Sequence, residues 1–255
     1  LFFMYYIDGN WERLCVTLQR NGSCHLISID APNDINQNGG TLFDAELVDT
    51  TSGWSSILLF DCYSYAGQNM RSLPLHRRFS RCETLAEKIP QKETDSFRVQ
   101  AKPYMKLCKD NLETLNAFLL NSNHYLNYDT DGVVLVPHGR SDVVNGKDES
   151  QFKLKSIHTV DLILVRDDEE PDTFFLATYD ESDNSCVPKQ HANKDELNME
   201  ENQIIECYIK NENGITKYIP IKTRYDKTHP NSESVVERTL KTIEDNIKPE
   251  CLVIN

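Results

Sequence analysis

The sequence predicts an α+β chain, rich in strands and poor in helices, divided into a larger mixed domain and a smaller barrel-like one. Three observations carry this. Short alternating apolar runs bounded by Gly, Asn and Asp recur along the chain. Helical spacing is confined to a few stretches, chiefly Asp110–Asn121 and Ser232–Ile247. Composition shifts near Leu162–Asp172 toward acidic and polar residues, which puts the domains at 1–162 and 163–255.

Leu1–Ile7, Leu14–Leu18 and His25–Ile29 read as strands, and Asn21-Gly22 between the last two is a hairpin signal. Ala31–Gly40 is a polar loop. Thr41–Val48 is a strand with an acidic centre, and Ser55–Tyr63 is another, ending Leu58-Leu-Phe-Asp61. Leu73–Glu87 shows helical spacing and carries Arg77, Arg78 and Arg81; Ser96–Val99 is strand-like. In Asp110–Asn121, Leu112, Leu115, Phe118 and Leu119 follow an Asp N-cap. Thr130–Pro137 is a turn into a buried strand, and Gly139–Ser150 is a polar insert. Phe152–Leu154, Val160–Val165, Thr173–Thr178, Glu206–Ile209 and Lys217–Thr223 are further strands. Tyr179–Asn202 reads as acidic and polar. Ser232–Ile247 is a helix with Ser232 as cap and Val235, Val236, Leu240, Ile243 and Ile247 on one face.

The 39% hydrophobic and 26% charged content are those of a soluble globular protein. No apolar run approaches the roughly 18 residues of a membrane span. The N-terminal apolar run has no basic residues before it and is not a signal peptide. The chain opens on Leu rather than Met, as if cut from a longer polypeptide. A net charge of −13 excludes coating nucleic acid by bulk charge and leaves room for a local basic cleft. The eight cysteines form no C-x-x-C pair and sit mostly in apolar contexts, which points to reduced, packed thiols in a cytosol-like compartment.

One stretch concentrates charge after a strand: Arg224-Tyr-Asp-Lys-Thr-His-Pro-Asn231. Arg224 offers a fork of donors and Lys227 a point charge, with Asp226 between them, a composition suited to polyphosphate. Ahead of it stand Gly40-Thr-Leu-Phe-Asp-Ala-Glu-Leu-Val48, Ile57-Leu-Leu-Phe-Asp61, Thr130-Asp-Gly-Val-Val-Leu-Val-Pro137, and Phe152-Lys-Leu-Lys155 with Thr159-Val-Asp161. In this order the motifs resemble the covalent nucleotidyltransferases, the mRNA capping guanylyltransferases and ATP-dependent ligases. The Arg224–Asn231 cluster looks like capping enzymes rather than ligases. The style is closest to capping enzymes of large cytoplasmic DNA viruses such as African swine fever virus. The resemblance covers about residues 41 to 247.

The resemblance implies a nucleotidyltransferase domain, with ATP-grasp-like antiparallel sheets and helices, followed by an OB-fold β-barrel. It implies GMP transfer from GTP through a lysyl phosphoamide to a 5′-diphosphate RNA, with Mg2+ or Mn2+. Glu46 matches the acidic strand residue that holds metal or ribose, although Ala45 stands where the family usually has Gly. Phe60 matches the aromatic that stacks on guanine, and Asp131 with Gly132 would hold the metal or its waters. Lys153 and Lys155, on one face of a strand, would sit on the α-phosphate. Arg77 or Arg78 would reach a phosphate. Arg224, Asp226 and Lys227 would orient the β- and γ-phosphates as the small domain closes. Fused triphosphatase and methyltransferase domains and a cytoplasmic virus-factory or virion location would fit a viral enzyme; no membrane partner is expected.

The family's Lys-x-Asp-Gly nucleophile motif is not in this sequence. The only candidate is Tyr6-Ile-Asp8-Gly9, with Arg13 downstream, and no lysine precedes Lys88. Two explanations stand: residues lost between about Trp11 and Glu12, or a domain that binds nucleotide without transferring it. An ATP-dependent nucleic-acid ligase is the alternative enzyme.

Overall fold

A computed structural model describes residues 2–8, 10–18, 22–27, 29, 40–91, 97–137, 139, 143–144, 146, 148–155, 157–170, 172–193, 199–212 and 214–252, with residues 2–14, 123 and 250 as backbone only. The expected loop at 31–39, Asn21 of the hairpin signal and several residues of the 139–150 insert lie outside these. The chain separates into two compact units, Leu1–Lys153 and Leu154–Asn255. The boundary expected after residue 162 falls inside a strand that the second unit keeps whole.

In the first unit, strands β1 (Phe2–Asp8), β2 (Asn10–Leu18), β3 (Cys24–Ile27), β4 (Thr41–Asp49), β5 (Ser55–Tyr65) and β6 (Gln68–Asn69) lie in the order β3-β2-β1-β4-β5-β6. β7 (Phe97–Ala101) joins β5 in parallel. Parallel neighbours need a crossover, and helix α1 (Leu75–Lys88) supplies it. Alternation on β5 sends Ile57 and Leu59 to one face, where they meet Phe43, Val99 and the Phe79, Cys82 and Leu85 of α1 in a buried core. After the core strands come a 3₁₀ turn (Lys109–Asn111), α2 (Leu112–Leu120) and α3 (Ser122–Tyr125). Strands β8 (Gly132–Leu135) and β9 (Phe152–Lys155) then form a two-stranded sheet. The stretch expected to be a buried strand is short, and its Val134 is 52% exposed; among the described residues β8 pairs with β9 alone. Asp110 falls in the 3₁₀ turn, so α2 starts after Asn111 without the expected Asp cap.

The β4–β5 ladder is irregular at two points. Asp44 pairs with Asp61 but Ala45 pairs with Leu59, so Phe60 is an extra residue on β5. Leu42 pairs with Ser64 but Phe43 with Cys62, which makes Tyr63 extra in the same way. Bulges of this kind bend a strand and re-aim its side chains.

The second unit is built on five strands: β10 (Thr159–Arg166), β11 (Phe174–Tyr179), β12 (Cys186–Ala192), β13 (Ile204–Glu212) and β14 (Ile215–Thr223), in the order β12-β11-β10-β13-β14. All neighbours are antiparallel. β12 lies in the stretch read as merely acidic and polar; its Pro188, Lys189, Gln190 and His191 hide the strand period. The expected closed barrel is not formed by backbone pairing, since no ladder joins β12 to β14 among the described residues. One side chain spans the gap instead. The Gln190 amide donates to the Tyr218 carbonyl at 2.9 Å and accepts from the Tyr218 N–H at 2.8 Å. Helix α4 (Glu233–Asp245) covers this sheet through Val236, Leu240 and Ile243. Ser232 occupies its N-cap position without a capping hydrogen bond; its hydroxyl meets Ser234 instead. Ile247 lies past the helix and is exposed.

Four cysteines, Cys15, Cys62, Cys82 and Cys207, are buried, and all eight are free. Burial pushes the Cys15, Cys62 and Cys207 thiols up to about 12, so they are protonated and inert at neutral pH. Cys24, Cys186 and Cys251 are exposed, contrary to the packed-thiol expectation, because each sits at a strand end or near the C-terminus.

Arg78, expected as a phosphate contact, is 5% exposed. Its Nε and Nη2 donate to the two Asp61 oxygens at 2.7 and 2.9 Å, and its Nη1 donates to the Leu73 carbonyl at 2.5 Å. All three donor directions of its fork are used inside the protein. Removing one partner strands the other charge in the interior. Asp61→Ala is therefore expected to lower stability by about 3–5 kcal/mol, as buried pairs do when halved; urea unfolding of the variant against the parent measures it.

Candidate nucleotide and phosphate sites

The first unit gathers three residues on the face of β5 turned away from α1. Glu46 pairs across from Leu58, and Leu58 lies beside Gln100 of β7, so alternate residues of all three strands share that face. The bulge turns Phe60 toward the end of β7, where the ladder continues through the Lys102 N–H to the Leu59 carbonyl. Lys102 Nζ lies 2.5 Å from a Glu46 oxygen and 5.6 Å from the centre of the Phe60 ring. Tyr128 joins the wall of this group. Burial first and the Glu46 carboxylate second push its phenol above the ordinary range. A half-buried aromatic face, a cation beside it and an exposed carboxylate make a small amphipathic surface. Lys102 and Tyr128 have no motif to mark them.

Asp131 and Lys153 form an ion pair at 2.8 Å, each with about half of its side chain in water. Gly132 follows with φ +146°, a backbone state that favours glycine. The Thr130 hydroxyl binds both its N–H and its carbonyl, which fixes the turn. Lys155 stands two residues on from Lys153 along β9. His158 is held below its ordinary value by burial and then by the Lys155 charge, so the positive field of this strand reaches past its end.

The second unit holds Arg224, Asp226 and Lys227 in one network. Arg224 Nε and Nη2 donate to the Asp226 carboxylate, both at 2.8 Å, and Nη1 donates to Asp161 at 3.0 Å, with Glu206 at 3.7 Å. Lys227 Nζ lies 3.4 Å from the second Asp161 oxygen. Asp161 is buried and its backbone is clamped: its N–H donates to the Asn231 side chain at 2.8 Å, and its carbonyl accepts from the Asn231 N–H at 2.7 Å. The Pro-Asn ending of the motif thus fixes the carboxylate that spaces its two cations. The hydrogen bond to Arg224 holds the Asp226 carboxyl down at about 2, so it is charged at every pH of interest. Asp226 also raises the Arg224 guanidinium further.

Other expected residues fall elsewhere. Tyr6 and Asp8 lie on β1 and Arg13 on β2 opposite Tyr5. Asp8 faces Asn10 at the end of the hairpin, where an Asp-Gly pair has ordinary turn chemistry; Gly9 is outside the described residues. β2 runs through Trp11–Glu12 in register with Ile7 and Tyr6, with no break in the ladder at the point where lost residues were expected. Among the described residues no three His, Cys, Asp or Glu side chains converge as a metal cage, and no helix is long and apolar enough to cross a membrane.

Two family models match this chain, both described by their relation to capping. The mRNA capping enzyme catalytic domain matches residues 1–157, and the mRNA capping enzyme C-terminal domain matches residues 135–253. The chain belongs to the mRNA capping enzyme family. Its activity is that of an RNA guanylyltransferase, a nucleotidyltransferase acting in mRNA capping. A solved structure described as "DNA binding with a minimal scaffold: Structure-function analysis of Lig E DNA ligases" aligns over 88% of this chain and 89% of its own. Its identity is 12% and its TM-score 0.37, too low to inform the site.

In the network around Asp161, the variant Asp161→Asn keeps the shape but loosens Arg224 and Lys227. It is expected to weaken GTP binding, and its effect on GTP affinity should largely vanish in an Arg224→Ala background. Residues of one ion network couple by about 0.5–3 kcal/mol. Additive losses in the double-mutant cycle would mean that Asp161 acts on folding rather than through Arg224.

Proposed function

We propose that the chain transfers GMP from GTP in two steps, with the base held in the first unit and the phosphates engaged by the cations of both motif sets. In the first step a lysine nitrogen attacks the α-phosphorus: a P–N bond forms, the P–O bond to the β-phosphate breaks, and pyrophosphate leaves. In the second, an oxygen of the RNA 5′-diphosphate attacks the same phosphorus, and the P–N bond breaks as the cap linkage forms. Both steps concentrate negative charge on phosphate oxygens, and positioned cations stabilise it. Lys153 and Lys155 take the α-phosphate, and Arg224 with Lys227 the departing phosphates. Asp131 keeps Lys153 placed until phosphate replaces it.

The observation that carries the reading is the Glu46–Lys102–Phe60 group. Guanine presents the O6 acceptor where adenine presents an amino group, and a lysine is a suitable donor to it. Phe60 would stack on the ring, adding affinity with little choice between bases. Lys102 supplies the choice. The carboxylates of Glu46 and Asp131 are half in water and have the oxygen chemistry a hard divalent cation takes. They would hold it, and when bound it neutralises phosphate charge. The open five-stranded sheet with its Gln190 bridge supports an OB-like reading of the second unit.

Since the sequence contains no Lys-x-Asp-Gly, the attacking lysine has to be read from the adduct. The chain incubated with α-labelled GTP and magnesium or manganese should become covalently labelled, and peptide mapping should place the label on a lysine. Labelling by ATP in place of GTP would move the activity to a ligase. Intact GTP binding without label from either would make it a binding module. Arg224→Ala and Lys227→Ala should abolish labelling with the first unit still folded. Lys102→Met should erode the preference for GTP over ATP by about 1–3 kcal/mol, the range of a good base contact; an unchanged preference would remove Lys102 from base recognition.

A further inference from the structure

The turn that carries the phosphate-binding cations also carries a side chain that the phosphates do not use. Tyr225, between Arg224 and Asp226, is 86% exposed. The backbone around it is fixed: the Arg224 N–H donates to the Ile204 carbonyl, continuing the β13–β14 ladder, and the Lys227 N–H donates back to the Arg224 carbonyl. A phenol ring is thus held out in water on a rigid corner, beside two anchored cations.

Its surroundings along β14 have a consistent character. β14 is an edge strand. Its Ile219 and Ile221 are 41% and 52% exposed, and Tyr208 lies across from Ile219 on β13. Ile221 is the extra residue between the pairs Glu206–Lys222 and Cys207–Pro220, and the bulge leaves it facing out. Lys222 keeps 65% of its side chain in water, 3.5 Å from Glu206. The hairpin lysines Lys210 and Lys217 are both paired with Glu212 and point to no ligand. What remains is an exposed ring at the strand end, exposed aliphatic side chains along β14, and Lys222 sharing Glu206 with Arg224 of the charge network.

Rings that stack bases, interleaved with cations that follow the backbone, make a platform for single-stranded nucleic acid. The guanylyltransferase reading names that occupant, since its acceptor is an RNA. Lys222, Arg224 and Lys227 are balanced here by Glu206, Asp161 and Asp226, so in a chain of net charge −13 the rim is locally neutral and its cations can pass from carboxylate to phosphate. We propose that Tyr225, with Lys222, receives the first nucleotides of the acceptor RNA, whose 5′-diphosphate must reach the phosphate-binding cations. The inference rests on the guanylyltransferase reading for its substrate class. It gives the second half-reaction a residue of its own: the base next to the diphosphate stacks on Tyr225, and Lys222 meets the following phosphodiester.

The test separates the two half-reactions. The full chain, with Tyr225→Ala, Tyr225→Phe and Lys222→Ala, is assayed for self-labelling by GTP and for transfer to a short 5′-diphosphate RNA; binding of that RNA is followed by fluorescence anisotropy. Tyr225→Ala should raise KM for RNA and weaken binding roughly tenfold, the scale of one lost base stack, with self-labelling unchanged. Tyr225→Phe should restore both, since stacking needs the ring and not the hydroxyl. Unchanged RNA affinity in Tyr225→Ala overturns the proposal. So does an equal loss of self-labelling and transfer, which would make Tyr225 part of the phosphate network. RNA binding that depends on Tyr225, in a chain that no nucleotide labels, would support the platform and reject the guanylyltransferase reading.

Discussion

A single buried ion pair, Asp61 with Arg78, underlies the arrangement of the first unit. It ties the first turns of α1 to the bulged part of β5, so the helix covers one face of the sheet and leaves the other to chemistry. The carboxylate follows directly after Phe60. The same bulge that turns the ring toward Lys102 therefore places Asp61 for Arg78. Stability and recognition are adjacent on one strand, and a change to either residue is felt by both.

Three cations of the candidate sites are held by carboxylates. Lys102 meets Glu46, Lys153 meets Asp131, and Arg224 meets Asp226, Asp161 and Glu206. Exposed pairs of this kind contribute little to stability. Their effect is on geometry: each cation is held extended and aimed, so that phosphate replaces a carboxylate instead of ordering a loose side chain. On the proposed reading, a chain of net charge −13 would recognise a polyphosphate in this way. The carboxylates adjacent to the cations would then be part of the recognition device, with the buried, clamped Asp161 held in place and the solvent-facing Asp226 free to give way.

Much of the fold is legible in the residues. The strand β4 carries a two-residue period, β5 and β10 carry short apolar runs, and α4 carries a helical period. β12 is hidden because Lys189, Gln190 and His191 break the two-residue period, while Gln190 and His191 still pair with β11 and Lys189 is the extra residue of a bulge. The motifs mark Glu46, Phe60, Asp131, Lys153 and Arg224, since each belongs to a short local pattern. What they do not mark is partnership across the chain. Lys102 is 56 residues from Glu46 and Asp161 is 63 from Arg224, and no local spacing joins such pairs. Arg78 misleads for the same reason: beside Arg77 it looks like surface charge, and only Asp61, 17 residues earlier, shows it to be interior.

The Gln190 bridge gives the second unit an unusual seam. A ladder would join β12 and β14 by several backbone hydrogen bonds, and here one amide stands in for all of them. Among the described residues no ladder pairs the rest of the two edges, the condition under which a strand accepts another strand. The wall of this unit is held at that seam by a single clasp and is otherwise open.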